Sequence, residues 1–223
     1  HSVFSHCIDY VLDAGSETEH SYQDNVFENF VENTDIPEIL RKHSVDLYYI
    51  LNKNNFPLLE KSLPDLCADR IDYSLRSGII FKEISGQDLN YLLDNLTAEN
   101  HNWVFKNFEN AKKYAELFLK MNTFYYAGIS SAAMFRTVGD TMRYALGADY
   151  ISESDLYTTD EEILDKIKRY LDKDEKLKLF WRRMNNEVKF ENSLVDYDAH
   201  VFCKSRIVNP LFKENEEIKR LSE

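Results

Sequence analysis

Histidine and aspartate side chains near the start of the chain have the spacing that proton transfer requires. His6 and Asp9 lie one helical turn apart, so a helix places the Asp9 carboxylate beside the His6 imidazole. A carboxylate in that position fixes the orientation of the ring and favours its protonated form, as a general acid needs. His1 and His20 are further histidines in the same short stretch. The alternative is a capped helix start whose His and Asp side chains lie on a solvated face.

A second group of charged residues lies between positions 65 and 76. Asp65, Asp69, Asp72 and Arg76 follow one another at steps of four, three and four residues. On a helix this spacing places all four side chains on one face. The alternative to a functional cluster is an exposed acidic face with local salt bridges to Arg70 or Arg76.

Two blocks of the sequence resemble the HD-domain metal-dependent phosphohydrolases, in particular the branch that contains the deoxynucleoside triphosphate triphosphohydrolases. The first block is His-Ser-Val-Phe-Ser-His at residues 1–6, followed by Asp9 and by Glu19-His20. The second block is Cys-Ala-Asp-Arg-Ile-Asp-Tyr-Ser-Leu-Arg at residues 67–76. The resemblance implies a mainly α-helical, HD-type fold that hydrolyses a phosphate ester or anhydride.

The resemblance also implies roles for individual residues. Asp69 resembles the last ligand of the family's metal site, which implies a divalent metal cofactor (Mn, Fe, Co, Ni, Zn or Mg). His6 resembles the histidine that faces the scissile phosphate ester, and Asp9 resembles its orienting partner. The residues that match the family's further catalytic and substrate-binding positions are His1, His20, Tyr73 and Arg76.

Several departures from the family pattern leave a second function open. The chain contains neither the HD dipeptide nor the first ligand histidine, which belong just before His1, and Ser77 stands where the triphosphohydrolases have an acid. Residues 123–135 contain no cation where that branch has a triphosphate clamp, so that Arg136 and Arg143 are the nearest candidates. These gaps predict that the 223-residue fragment alone is inactive.

The sequence therefore predicts, for the intact protein, a metal-dependent phosphohydrolase. Its substrate would be a nucleotide or related phosphate compound, and deoxynucleoside triphosphate hydrolysis is one form of this activity. The alternative is a non-catalytic HD-fold module that binds nucleotides or a partner protein. A helical scaffold with an accidental motif match is a third interpretation.

The elements that would position these residues are predicted to be mostly helical. The chain has only six Gly and four Pro residues, and both disfavour helix interiors. We expect an HD-type helical domain over residues 1–150 and a small α+β lobe over 151–223. The pattern predicts the following elements: helices over 3–12, 21–32, 87–96, 111–146 with a break near Gly128, and 159–170; short helices begun by Thr34 with Pro37 and by Ser44; strands at 103–105 and 200–208; and a strand or helix end at 79–84.

Composition limits the partners and the compartment. The net charge of −12 argues against binding to nucleic acid or to an anionic membrane, because both would repel this chain. Three widely spaced cysteines, and the lack of a long apolar run or signal peptide, predict a soluble cytoplasmic protein. A start at His1 predicts that the chain is a piece of a longer protein. Its apolar and aromatic content predicts a homo-oligomer, with a small phosphorylated molecule as substrate.

Overall fold

A computed structural model of the protein describes residues 4–12, 22–201 and 204–223. These residues are mainly α-helical with a small four-stranded sheet, which confirms the predicted combination of a helical fold and a small α+β part. The helices are α1 Asp9–Leu12, α2 Tyr22–Glu32, α3 Ile36–Lys42, α4 Leu47–Leu51, α5 Ala68–Ile80, α6 Gly86–Asp94, α7 Phe108–Met121, α8 Ile129–Gly147, α9 Asp160–Lys168 and α10 Glu175–Met184. The strands are β1 Leu96–Glu99, β2 Asn102–Phe105, β3 Leu211–Glu214 and β4 Glu217–Arg220.

The chain forms two compact units, and each is made from two stretches of sequence. The first unit comprises His1–Asn33 and Ala127–Lys204, and the second comprises Thr34–Tyr126 and Ser205–Glu223. The three boundaries between these stretches follow residues 33, 126 and 204. The division into domains over 1–150 and 151–223 stays a prediction.

The first unit is built around α8. Val138, Met142 and Ala145 of this helix are buried in one cluster, spaced by four and three residues. The cluster also contains Cys7 and Ile8, which precede α1, and apolar residues of α9 and α10. Arg143 donates a hydrogen bond to the carbonyl oxygen of Tyr10 and so ties α1 to α8. The segment that carries His6 and Asp9 is therefore anchored by apolar packing and by this hydrogen bond.

Gly139 permits the close approach of α1 and α8. A Cβ atom at position 139 would lie 2.6 Å from the Cβ of Tyr10, which is buried. We expect Gly139→Ala to lower the free energy of unfolding by about 1–3 kcal/mol, because one of the two elements must shift. Gly147→Ala is the matched control, since a Cβ there meets nothing within 4 Å. The control should leave stability unchanged or raise it by up to about 1 kcal/mol. Urea unfolding monitored by circular dichroism measures the free energy of unfolding of both variants. Equal stability of the two would contradict the steric role of Gly139.

The second unit packs α5 and α7 against each other and against the sheet. Its buried cluster includes Ile71 and Leu75 of α5, Tyr114 and Phe118 of α7, and Phe212 of β3. The strand order is β1-β2-β3-β4. The β1–β2 and β3–β4 pairs are antiparallel, and β2 pairs with β3 in parallel. The sheet thus joins two strands from the middle of the chain to two strands near its end.

Several predicted elements are confirmed. The helix over 111–146 exists as α7 and α8, and a π-helical turn and Gly128 lie between them. Ser85 and Thr159 begin α6 and α9 with complete capping boxes. The predicted strand at 103–105 lies within β2, and α5 ends at Ile80, so residues 79 and 80 form a helix end.

Two predictions of local structure are wrong. Among the described residues of 200–208 there is no strand, and the C-terminal strands are β3 and β4 instead. The turn between them places Asn215 and Glu216 at positive φ, as tight hairpins require. Ser44 does not cap α4. It has a φ of 56°, and the side chain of Asp46 accepts the hydrogen bond from the Tyr48 N–H.

The described residues contain no helix long and apolar enough to cross a membrane.

Candidate active site

His6 and Asp9 form the pair that the sequence predicts. His6 lies in the 3₁₀ turn Ser5–Ile8, and Asp9 is the first residue of α1. The His6 Nδ1 lies 3.5 Å from the Asp9 Oδ2. The Asp9 side chain is fully buried, whereas 34% of the His6 side chain is exposed. The imidazole is thus accessible to a ligand, and its carboxylate partner is shielded from water.

Asp9 has a second contact that its spacing to His6 did not reveal. Its Oδ1 accepts a hydrogen bond of 3.0 Å from the backbone N–H of Tyr22, the first residue of α2. The N–H groups at a helix start lack partners within the helix, and a carboxylate there is favoured by the helix dipole. One buried carboxylate therefore caps α2 with one oxygen and faces His6 with the other.

Aromatic contacts fix the start of α2. The hydroxyl groups of Tyr22 and Tyr157 lie 2.6 Å apart, and the ring of Phe30 stacks on that of Tyr157 at 5.6 Å between centroids. At the other end of the segment, the Phe4 N–H donates a hydrogen bond of 2.8 Å to Asp160 at the start of α9. These contacts restrict the backbone on which His6 and Asp9 lie.

Cys7, between His6 and Asp9, is not a nucleophile. Burial, together with the negative charges of Asp160 and Asp9, raises the pKa of the Cys7 thiol to about 12. A thiol with such a pKa stays protonated near neutral pH, and the thiolate is the reactive form.

Asp69 lies in the first turn of α5 and is exposed. Its carboxylate is not paired with a cation among the described residues, whereas the nearby Asp72 is paired with Arg76. The next residue, Arg70, is buried and donates hydrogen bonds to the backbone carbonyls of Lys61 and Asp65. This network attaches the preceding loop to the start of α5 and so fixes the position of Asp69, whose carboxylate is available to a ligand.

Tyr73 lies one turn further along α5 and is partly buried. Its ring packs against Phe118 and, edge to face, against Tyr126. Burial raises the pKa of the Tyr73 phenol to about 12. The hydroxyl is therefore neutral at physiological pH and can donate a hydrogen bond to an anion.

The arginines considered for substrate binding already have carboxylate partners. Arg76 pairs with Asp72 one turn earlier on the exposed side of α5, as the alternative interpretation predicts for this helix. Arg136 donates to Asp140 at 2.8 Å, and Arg143 lies 3.6 Å from the same carboxylate. An anionic ligand would have to compete with these pairs.

The predicted site residues divide between the two units. His6 and Asp9 belong to the first unit, and Asp69, Tyr73 and Arg76 belong to the second. His1 and His20 lie outside the described residues. Within the described ranges, no three His, Cys, Asp or Glu side chains are grouped so that they could hold a metal ion. The described residues by themselves do not fit the divalent metal that the family resemblance implies.

Arg70 and Tyr22 were not predicted to support the site. The position of Arg70 on α5 could have indicated that it is buried. It falls on the same helical face as Ser74 and next to Ile71, and both of these residues are buried. A charged residue on an apolar face needs hydrogen-bond partners nearby, and the loop carbonyls provide them. Tyr22 gave no comparable signal, since its contact with Asp9 spans 13 residues.

Comparisons with known proteins find two relatives. The uncharacterized protein YdhJ of Bacillus subtilis is 27% identical over 221 residues, which are 98% of this chain and 66% of that protein. The metal-dependent phosphohydrolase cns2 of Cordyceps militaris is 33% identical over 98 residues, which are 44% of this chain and 28% of that protein. No family model matches the chain, and no solved structure matches it. The chain thus spans under two thirds of the length of either relative.

Proposed function

We propose that the protein to which this chain belongs is a metal-dependent phosphohydrolase that acts on a nucleotide or a related phosphate ester or anhydride. The observation that carries the proposal is the similarity to the Cordyceps militaris protein named as a metal-dependent phosphohydrolase. The geometry of His6 and Asp9 agrees with it, because a partly exposed imidazole beside a buried carboxylate suits a proton donor. The resemblance of residues 67–76 to the HD phosphohydrolases supports the same reaction class.

His6 supplies the proton in this reaction. Water attacks the phosphorus atom and releases one proton to solvent, the bond from phosphorus to the leaving oxygen breaks, and that oxygen takes the proton from the His6 imidazolium. The imidazole then regains a proton from solvent. Asp9 keeps the ring oriented throughout, because its own position is fixed by the bond from Tyr22. In the second unit, the neutral Tyr73 hydroxyl can donate a hydrogen bond to an anion.

Asp69 is the residue of this chain that we propose as a metal ligand. It is exposed and has a backbone position fixed by the contacts of Arg70. One carboxylate does not hold a catalytic metal, so the proposal requires further ligands from outside the described residues. The metal in this proposal is one of Mn, Fe, Co, Ni, Zn and Mg.

Phosphate release from a substrate panel tests the proposal. The full-length protein is incubated with each of these metals and with nucleoside mono-, di- and triphosphates, including deoxynucleoside triphosphates. We expect hydrolysis of at least one compound, dependent on the metal and abolished by a chelator. No hydrolysis with any pair of metal and substrate would refute the enzymatic function.

A non-catalytic module that binds nucleotides or a partner protein is the second candidate function. Two observations favour it: the described residues do not group three metal-ligand side chains, and Arg76, Arg136 and Arg143 are paired with carboxylates of the chain itself. Metal analysis of the purified full-length protein separates the candidates. Stoichiometric metal supports the hydrolase, whereas nucleotide binding without bound metal or turnover supports the module.

A further inference from the structure

The segment that begins the second unit has no buried residue. From Thr34 to Asp65 every side chain is exposed or intermediate, although this stretch contains α3, α4 and many apolar residues. The short helix α4 reads Leu-Tyr-Tyr-Ile-Leu, so it is apolar on all sides, and none of its residues is buried. A helix that is hydrophobic all round is normally covered by protein. We call its exposed apolar residues, together with those of α3 and the turn between the helices, the α3–α4 surface: Ile36, Ile39, Val45, Tyr48, Tyr49 and Ile50.

The α3–α4 surface can supply the apolar centre of a protein interface. The side chains of Tyr48 and Tyr49 are 64% and 53% exposed. An aromatic side chain can bury about 150–250 Å², so each of these two has on the order of 100 Å² free. With the four aliphatic residues the surface offers roughly 500 Å², and a standard interface takes about 800 Å² from each partner. A surface of this size is about as large as the largest apolar patch of a typical monomer, and such patches are often functional.

The distribution of charge along the chain indicates which kind of partner can bind to the α3–α4 surface. The chain has a net charge of −12, yet residues 34–56 contain three acidic and three basic residues and are neutral overall. Two copies of the chain therefore repel each other over the remaining, acidic surface but not at the α3–α4 surface. A basic partner would prefer the acidic remainder of the protein.

The charges of α3 also make the surface self-complementary. Asp35 and Glu38 lie at the start of this helix, and Arg41 and Lys42 lie at its end. When two copies meet about a two-fold axis with their α3 helices antiparallel, the acids of one copy face the bases of the other. The Lys42–Glu38 pair within one chain is exposed, so exchanging it for a pair between copies costs little.

We propose that the α3–α4 surface is an isologous interface through which two copies of this protein associate. The inference is independent of the proposed catalytic function, because none of the six residues has a role in that chemistry. The second copy would cover the exposed apolar residues of α3 and α4.

Sedimentation velocity of the full-length protein across a broad concentration series tests the interface. We expect a reversible dimer whose Kd rises at least about tenfold in Ile39→Glu and in Tyr48→Glu, because the dimer would then bury an unpaired carboxylate in its apolar contact. Leu119→Glu is the matched control, since Leu119 lies in the same unit on α7 and is 55% exposed. Its Kd should equal that of the unmodified protein.

Three results would overturn the interface: a monomer at all concentrations, a dimer that persists in both glutamate variants, or equal dissociation of the Leu119→Glu control. Hydrogen exchange on the unmodified protein gives a test that needs no variant. Amides of α3 and α4 should become more protected as the concentration rises, and unchanged exchange in a dimeric sample would place the contact elsewhere.

Discussion

His6→Ala should lower kcat by about 10² to 10⁴ and leave metal content and stability almost unchanged. The substitution removes the proton donor, so the leaving oxygen must depart without general-acid assistance. The side chain is one third exposed, and its loss therefore creates no large cavity. Steady-state kinetics measures the fall in kcat, and metal analysis with urea unfolding of the variant checks that metal content and stability are kept.

His43→Ala is the matched control for His6, because His43 is an exposed histidine in the second unit. The control should retain the kcat of the unmodified protein. Unchanged turnover in His6→Ala would refute the role of donor, and His6 would then be a surface residue whose replacement alters stability by no more than about 0.5 kcal/mol.

Asp9 offers a test of orientation that is separate from proton donation. Asp9→Asn keeps an oxygen that can accept the Tyr22 N–H but removes the charge beside His6. We expect a loss in kcat smaller than that of His6→Ala, with little change in KM. A purely structural role in capping α2 would instead leave kcat unchanged, because the amide oxygen of the variant still accepts the Tyr22 N–H. Asp9→Ala removes both contacts and should also lower the free energy of unfolding by about 1 kcal/mol or more.

Asp69→Ala should lower metal affinity first, and activity as a result. Mutation of a residue that only supports a ligand typically lowers metal affinity by about 10- to 100-fold. Loss of a direct ligand is expected to lower the affinity further. Excess metal should therefore restore part of the activity. Metal content measured by mass spectrometry, alongside kinetics at rising metal concentration, separates this effect from the loss of chemistry expected for His6→Ala.

Asp72→Ala is the control for metal content, since Asp72 lies on the same exposed side of α5 but pairs with Arg76. Its metal content should match that of the unmodified protein. Equal metal content in Asp69→Ala and in the unmodified protein would refute the ligand role. Thermal unfolding of both variants checks that α5 remains folded.

Local sequence signals predicted many of the helices and their caps. The boundaries at Ser85 and Thr159 follow from a side chain and a backbone N–H three residues apart, and such contacts form wherever the helix forms. The prediction of a strand at 200–208 was wrong because a strand forms only where a partner strand is available. Leu211 and Phe212 of β3 pair with Val104 and Phe105 of β2, which lie more than a hundred residues earlier in the chain.

By itself, the sequence determined the His6–Asp9 pair, because two residues one turn apart meet through local geometry alone. The tertiary structure decided that Asp9 is buried and also caps α2, and that Arg70 anchors the loop before α5 through backbone carbonyls. It also decided that the apolar residues of α3 and α4 stay exposed, although their composition is that of a core. Periodicity identifies the face of a helix, but only the packing of distant segments determines which faces are covered.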